Sequence, residues 1–440
     1  MVGIPFRFGV FPRRGPGGWI GPLITCGLIW AATATHADEL PNAAPRDVGL
    51  SPRTLARIRP ELQKLVDGAK LPGAMTVVVR QGRVAFSEAV GFRDVGAKQP
   101  LAADTILRIY SMTKPVTSAA ALMLVDDGKL QLNDPVSKYI PQLKDLRVLV
   151  VSADGKESHE PAEREITIRD LLRHTSGFAY GTTLGITRVD DLYRKSQLLD
   201  HHKPLDEMMH NLSRLPLVYQ PGTRFNYSIS LHVLGRVIEV VSGEGLDAFF
   251  SRRLFKPLDM RDTGFQVPAD KQARFAKLYG PGLFGGLSTL DNPRTSRFTK
   301  PPKLLSGAGG LVSTARDYTR FCQMILNRGR WDGKQLLRPE TVRLMTTNQL
   351  PESMLPISIG PIQRKGLGFG LGFSVRVARD DRTDPSAPRG EFGWGGAACT
   401  HVWFSPKDEL FVLVLSQYMP YSYRLETLVK PIVYQAVERH

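Results

Sequence analysis

Two pairs of strand-like stretches stand near opposite ends of this chain, and they constrain its fold more than any other feature. Near the start, Ala74–Val79 and Val84–Ala89 are rich in β-branched residues and are joined by Arg80-Gln81-Gly82-Arg83. That pattern predicts a hairpin. Near the end, His401–Ser405 and Glu409–Leu415 flank Pro406-Lys407-Asp408 and predict a second one. Between them the apolar spacing is mostly helical. One antiparallel sheet built from both ends, with a mainly helical middle, is the expected architecture, an α/β (α+β) fold. At 440 residues the chain exceeds what one core usually serves, so two lobes are expected. The sheet lobe would take about 45–130 and 305–440, the helical lobe about 131–304. No internal repeat is visible.

Several stretches mark local structure. A helix is expected around Arg53–Leu65. From Ser111 the residues Val116, Ala119, Ala120 and Met123 follow helical spacing, with Gly128 as the stop signal. Thr167-Ile168-Arg169-Asp170 has the form of a capping box, and His174 lies at the end of the short helix it opens. Gln220-Pro221-Gly222 forms a turn, and Phe225-Asn226-Tyr227-Ser228 leads into a helix with Leu231, Leu234, Ile238 and Val241 as its apolar stripe. Residues 281–304 are rich in Gly, Pro, Ser and Thr and read as a long loop, a candidate lid. Ser313-Thr314 caps a helix carrying Tyr318, Phe321 and Ile325.

Residues 1–37 have the form of an export signal. Their only charges are Arg7, Arg13 and Arg14, an apolar run spans Trp19–Ala32, and Thr35-His36-Ala37 ends on a small residue. A periplasmic or secreted protein of residues 38–440 is the expectation, with a lipoprotein or an uncleaved anchor as rivals. No later segment is long and apolar enough to span a bilayer. The net charge of +16 fits anionic surroundings, but the basic residues are scattered and no nucleic-acid motif accompanies them. Cys322 and Cys399 are expected as buried thiols rather than as a bridge. His201, His202 and His210 lack a Cys or carboxylate at ligand spacing, so no metal site is expected.

Chemistry concentrates at Ser111-Met112-Thr113-Lys114, the chain's only Ser-x-x-Lys. On a helix, positions i and i+3 share a face, so the hydroxyl and the amine can meet. A serine becomes a nucleophile when a neighbouring base takes its proton. An ordinary lysine, with a pKa of ~10.4, is protonated at neutral pH, so the pair needs burial to free the amine. Placement at a helix start helps, because the dipole disfavours the ammonium and favours an oxyanion. Tyr227, in a loop ahead of a helix, reads equally as packing or as an acid–base group. His174 reads as a structural hydrogen-bonder.

Taken together, these motifs resemble the serine β-lactamase and penicillin-binding-protein superfamily, in its class C-like branch, over roughly residues 45–435. Ser111–Ser118 is similar to the family's first motif, and Tyr227-Ser228 to its second. Trp394-Gly395-Gly396 stands where the family has Lys-Thr-Gly on a sheet strand. The connectors Leu171–Gly177, Pro257–Met260 and Gly309–Thr314 match as well. Two departures matter. Ile229 replaces the second motif's Asn, and Trp394 replaces the Lys that meets a substrate carboxylate. Losing both anchors would leave polar groups of a lactam unpaired. Trp-Gly-Gly is similar instead to the family VIII carboxylesterases, and an aromatic wall suits an ester.

The resemblance implies an acyl-enzyme on Ser111, with Lys114 and Tyr227 sharing the proton and short to medium acyl chains as substrates. It implies an oxyanion hole from the backbone N–H groups of Ser111 and Ala397, and Trp394, Gly395 and Gly396 beside the substrate. Glycines there let the strand approach closely. No metal or organic cofactor is called for, and the partner is a small-molecule ester or lactam rather than nucleic acid. The rival readings are a weak β-lactamase or D-alanyl-D-alanine carboxypeptidase and, from another class, a non-catalytic cell-wall-binding relative. Oligomeric state is not legible.

Overall fold

The computed structural model describes residues 40–181, 187–421 and 424–438. The expected export signal, residues 1–37, lies outside them. An eight-stranded antiparallel sheet forms the centre, in the spatial order 367–369, 374–376, 392–396, 400–405, 410–416, 73–80, 83–94, 99–100. Strands Gly73–Arg80 and Leu410–Ser416 pair at the middle with Val77 opposite Leu413, so the two chain ends meet as expected. The first hairpin turns through Gln81 and Gly82, both at positive φ, a geometry that suits the twist of a two-residue β-turn.

Both middle strands are buried on both faces, and their alternate residues enter two different cores. Met75, Val77, Val79, Phe411, Leu413 and Leu415 face the large core made with the middle of the chain. Ala74, Val78, Leu410, Val412 and Val414 face a second core. That second layer is supplied by Leu55, Ile58, Leu62 and Leu65 from the N-terminal helices and by Leu425, Val429, Ile432 and Val433 from a final helix, Arg424–Ala436.

Two expectations need correction. The sequence reading closes the chain on a hairpin, whereas the structure adds the Arg424–Ala436 helix after it. Its β-branched residues and internal Pro431 blur the helical pattern. Its Lys430 is buried and held by Glu391 at 2.6 Å, Glu426 at 2.7 Å and Asp384 at 3.0 Å. Burial raises the Glu426 carboxyl, but the Lys430 ammonium and His401 outweigh it and hold it at about 2. Residues 281–304, read as a loop, take part in a hairpin of Leu278–Pro281 with Leu287–Asp291 and carry a short helix, Arg297–Thr299. The second strand of that hairpin is exposed on both faces, so it leaves no apolar alternation to read.

The helix Thr113–Asp126 runs through the large core with every residue from Thr113 to Leu124 buried. A helix apolar all round belongs at the centre of a fold, and here it carries Lys114 inside with it. Pro115 sits in its first turn, where its missing N–H costs little. Cys322 and Cys399 are buried and form no disulfide. No helix among the described residues is long and apolar enough to cross a membrane.

Candidate active site

Ser111 lies in a 3₁₀ turn, Tyr110–Met112, that runs directly into the buried helix. Its Oγ is half-buried and receives a hydrogen bond from the Tyr227 hydroxyl at 2.8 Å. Lys114 Nζ lies 3.3 Å from the same oxygen, one helical turn on, and donates to Ala308 O at 2.8 Å. Residues separated by 116 positions in sequence therefore converge on one hydroxyl.

Burial sets the charge state of both partners. Desolvation holds the Lys114 amine well below its usual range, and no carboxylate offsets it. The groups around it are themselves uncharged. Burial lowers His232 to about 3 and pushes His174 well below the usual imidazole range. Desolvation drives the Tyr227 phenol well above its ordinary value, with Tyr180 adding to the rise. An amine disposed by burial to give up its proton and a phenol disposed to keep its own thus flank the serine. The amine can accept the Ser111 proton while the phenol donates to its oxygen.

Tyr227 is positioned by a bracket of residues 174–180. Asn226 N–H donates to His174 O at 2.8 Å, and its side-chain amide donates to Phe178 O at 2.7 Å. His174 Nδ1 accepts the Ser228 N–H at 3.3 Å, which leaves the ring proton on Nε2. The ring packs against Tyr227 with centroids 4.9 Å apart. His174 has a φ of 58°, and Gly177 a φ of 84° with a Cβ position only 2.1 Å from Tyr219 O. Positive φ and close approach to Tyr219 O therefore call for glycine at 177. His174 is a positioning residue. His174→Ala is expected to lower kcat by about tenfold or more with a smaller change in KM, and His174→Asn, which tolerates positive φ and keeps an acceptor, to recover part of it. Steady-state kinetics on one ester checks this, and equal losses in the two variants would contradict it.

The strand Phe392–Gly396 forms the other wall. A Cβ on Gly396 would lie 2.2 Å from Ile109 O, two residues before Ser111, and one on Gly395 would lie 2.7 Å from Tyr421 Oη. Only glycine lets the strand lie this close to the Ser111 segment. Ala397 follows directly in the chain. The Trp394 ring packs on Tyr227 and Phe369 at 5.4 and 5.3 Å, and its indole nitrogen has no hydrogen-bond partner among the described residues. Proximity of that N–H to Tyr227 still lowers the phenol slightly against the larger effect of burial. Leu350, Ile357, Phe225 and Phe369 continue the apolar lining.

Sequence reasoning missed Tyr180. Its ring stacks on Tyr227 at 5.2 Å, nearly parallel, and its phenol interacts with both Ser111 and Tyr227. Lys114 Nζ is 5.5 Å from that ring and 4.6 Å from Tyr227. A cavity of about 640 Å³ lined by residues of the stretch from Asp247 to Pro268 and by Pro302 includes none of these residues. It plays no part in the site.

The family model described as Beta-lactamase matches residues 58–428, most of the chain. The chain belongs to the Beta-lactamase family. Among similar proteins of the family, an uncharacterised protein of Mycobacterium tuberculosis is 38% identical over 82% of this chain and 89% of its own length. Esterase EstB of Burkholderia gladioli is 31% identical over 79% of this chain and 86% of its own. The solved structure of EstCE1, described as a hydrolase with promiscuous acyltransferase activity, superposes with a TM-score of 0.71 at 26% identity, covering 87% of this chain and 99% of that one. This Beta-lactamase family member is a serine hydrolase with the expected fold.

Proposed function

We propose that this enzyme hydrolyses carboxylic esters of short to medium acyl chain through an acyl-enzyme on Ser111. The observation that carries the reading is the Ser111 hydroxyl held between the buried Lys114 amine and the Tyr227 phenol, beside an aromatic wall that includes Trp394. Lys114 takes the Ser111 proton as Oγ attacks the ester carbonyl. Tyr227 passes a proton to the leaving alkoxide and is re-protonated from Lys114. In the second half-reaction the same pair draws a proton from water as it attacks the acyl carbon, and Ser111 leaves with that proton restored. The N–H groups of Ser111 and Ala397 would stabilise the tetrahedral oxyanion, each donor contributing about 3 kcal/mol.

The esterase names borne by EstB and by relatives such as the lovastatin esterase of Penicillium rubens, 30% identical, support this reading. A D-alanyl-D-alanine carboxypeptidase is the second reading, supported by a putative Escherichia coli enzyme of that name at 24% identity. Turnover of p-nitrophenyl butyrate and of a chromogenic cephalosporin separates ester from lactam chemistry. A ratio of kcat/KM of about 100 or more in favour of the ester is expected, since a site lacking the polar partners of a lactam leaves its groups unpaired. A preference for the cephalosporin would sink the ester reading.

A further inference from the structure

A cavity of about 460 Å³ lies against residues 180–181 and 193–202, within the size range of small-molecule sites. Its lining is uneven in polarity. Tyr193 and Leu198 are buried, and with Tyr180 and Leu199 they supply apolar surface, whereas His201 and His202 are exposed at its rim. The Tyr193 hydroxyl is already satisfied, donating to Pro216 O at 3.2 Å. An apolar floor under a polar rim suits the hydrocarbon arm of a substrate rather than a charge.

Tyr180 belongs both to this lining and to the active site. Its ring stacks on Tyr227 with centroids 5.2 Å apart and planes 15° from parallel. Tyr227 in turn donates to Ser111 Oγ at 2.8 Å, and Lys114 Nζ lies 5.5 Å from the Tyr180 ring. One aromatic ring therefore stands between the partners of the nucleophile and the cavity.

The backbone under that ring is fixed. The N–H groups of Tyr180 and Gly181 both donate to Asp190 Oδ1, at 3.0 and 3.1 Å. Asp190 is buried in the first turn of the helix Arg188–Lys195, where its other oxygen accepts from the Thr187 N–H at 3.1 Å and hydroxyl at 2.6 Å. Gly181 has a φ of 67°, and a Cβ there would lie 2.7 Å from Tyr193 Cβ. Backbone and stacking together hold the ring in place, so it acts as a partition and not as a lid.

We propose that Tyr180 is the partition that limits how long an arm of the ester the site accepts, and that the cavity behind it is a subsite for an apolar arm, opened when the ring is cut back. This rests on the ester reading above. It gives the preference for shorter chains a physical cause, since the ring stops the arm short of the apolar surface formed by Tyr193, Leu198 and Leu199.

Two series of esters test it. p-Nitrophenyl butyrate and octanoate vary the acyl arm, and ethyl and octyl butyrate vary the alcohol arm. Tyr180→Ala is expected to raise the long-to-short ratio of kcat/KM by about tenfold or more in at least one series, because the added methylenes gain apolar surface to cover them. A rate loss common to both esters cancels in that ratio. Tyr180→Phe keeps the ring and removes only the hydroxyl, so it should leave both ratios within about twofold of the parent's. Adding Leu199→Trp to Tyr180→Ala should fill the cavity and reverse most of the gain. Where a thermal melt shows Tyr180→Ala to be unfolded, Tyr180→Leu reads the same ratio, with a smaller gain in the same direction. Unchanged ratios in both series, or a gain that Leu199→Trp does not reverse, would overturn the partition while leaving Ser111 esterolysis standing. A parent enzyme that hydrolyses none of the four esters would instead overturn the ester reading and the partition with it.

Discussion

Ser111→Ala is expected to reduce kcat/KM for p-nitrophenyl butyrate by about 10⁴-fold or more, the scale seen when a nucleophile that works as a unit with its base is removed. The hydroxyl is the meeting point of the Tyr227 hydrogen bond at 2.8 Å and the Lys114 amine at 3.3 Å. Alanine removes it without disturbing the buried helix behind it, because Ser111 sits in the half-buried turn ahead of that helix. The thermal midpoint should therefore stay within a few degrees of the parent's, as for other substitutions outside the core. Progress curves and a thermal melt on the same preparation check both halves. A loss under about tenfold would mean that another group carries the hydrolysis.

Lys114→Met is expected to lower kcat by about 10³-fold, in the range for losing a general base. The pH dependence distinguishes this role from a structural one. Hydrolysis needs the free amine, so kcat/KM of the parent enzyme should rise with pH through the depressed Lys114 pKa and then level off. Tyr227, held above its usual range by burial, stays protonated throughout that rise. Stability carries the same signature. Below ~10.4 the unfolded lysine holds a proton that the folded one sheds above its lowered pKa. Between those two values the unfolded chain binds more protons, so folding stability increases with pH. Methionine is close in volume and does not titrate. The thermal midpoint of Lys114→Met relative to the parent should therefore climb as pH falls from about 10 and flatten below the folded pKa. A difference that is independent of pH would mean that Lys114 is charged in the fold.

The parts of this site that were legible in the sequence share a physical reason. A hairpin of β-branched residues, a helix start before an apolar run, and glycines flanking Trp394 each leave a local signature that survives without tertiary context. Capping at Thr167 is of the same kind, since the Thr side chain and Asp170 satisfy each other's backbone within four residues. The order of the three motifs then carried the family resemblance, which the fold and the comparisons bear out.

What could not be read is what only packing decides. Tyr180 has no periodic or spacing signal, and its place at the nucleophile depends on the bracket between residues 174–180 and the Tyr227 loop. His174 was identified as structural, but its positive φ and its acceptor role toward Ser228 emerge only in the fold. The exposed strand at Leu287–Asp291 and the helix Arg424–Ala436 were missed because one lacks a buried face and the other mixes β-branched residues with a proline.

The covalent intermediate gives the most direct test. The enzyme is mixed with p-nitrophenyl butyrate, quenched in acid within the first turnovers, and digested for peptide mass analysis. The account predicts a butyryl group on the peptide containing Ser111, localised to that serine and absent from Ser111→Ala. A butyryl group on a different residue that turns over at the rate of hydrolysis would contradict it.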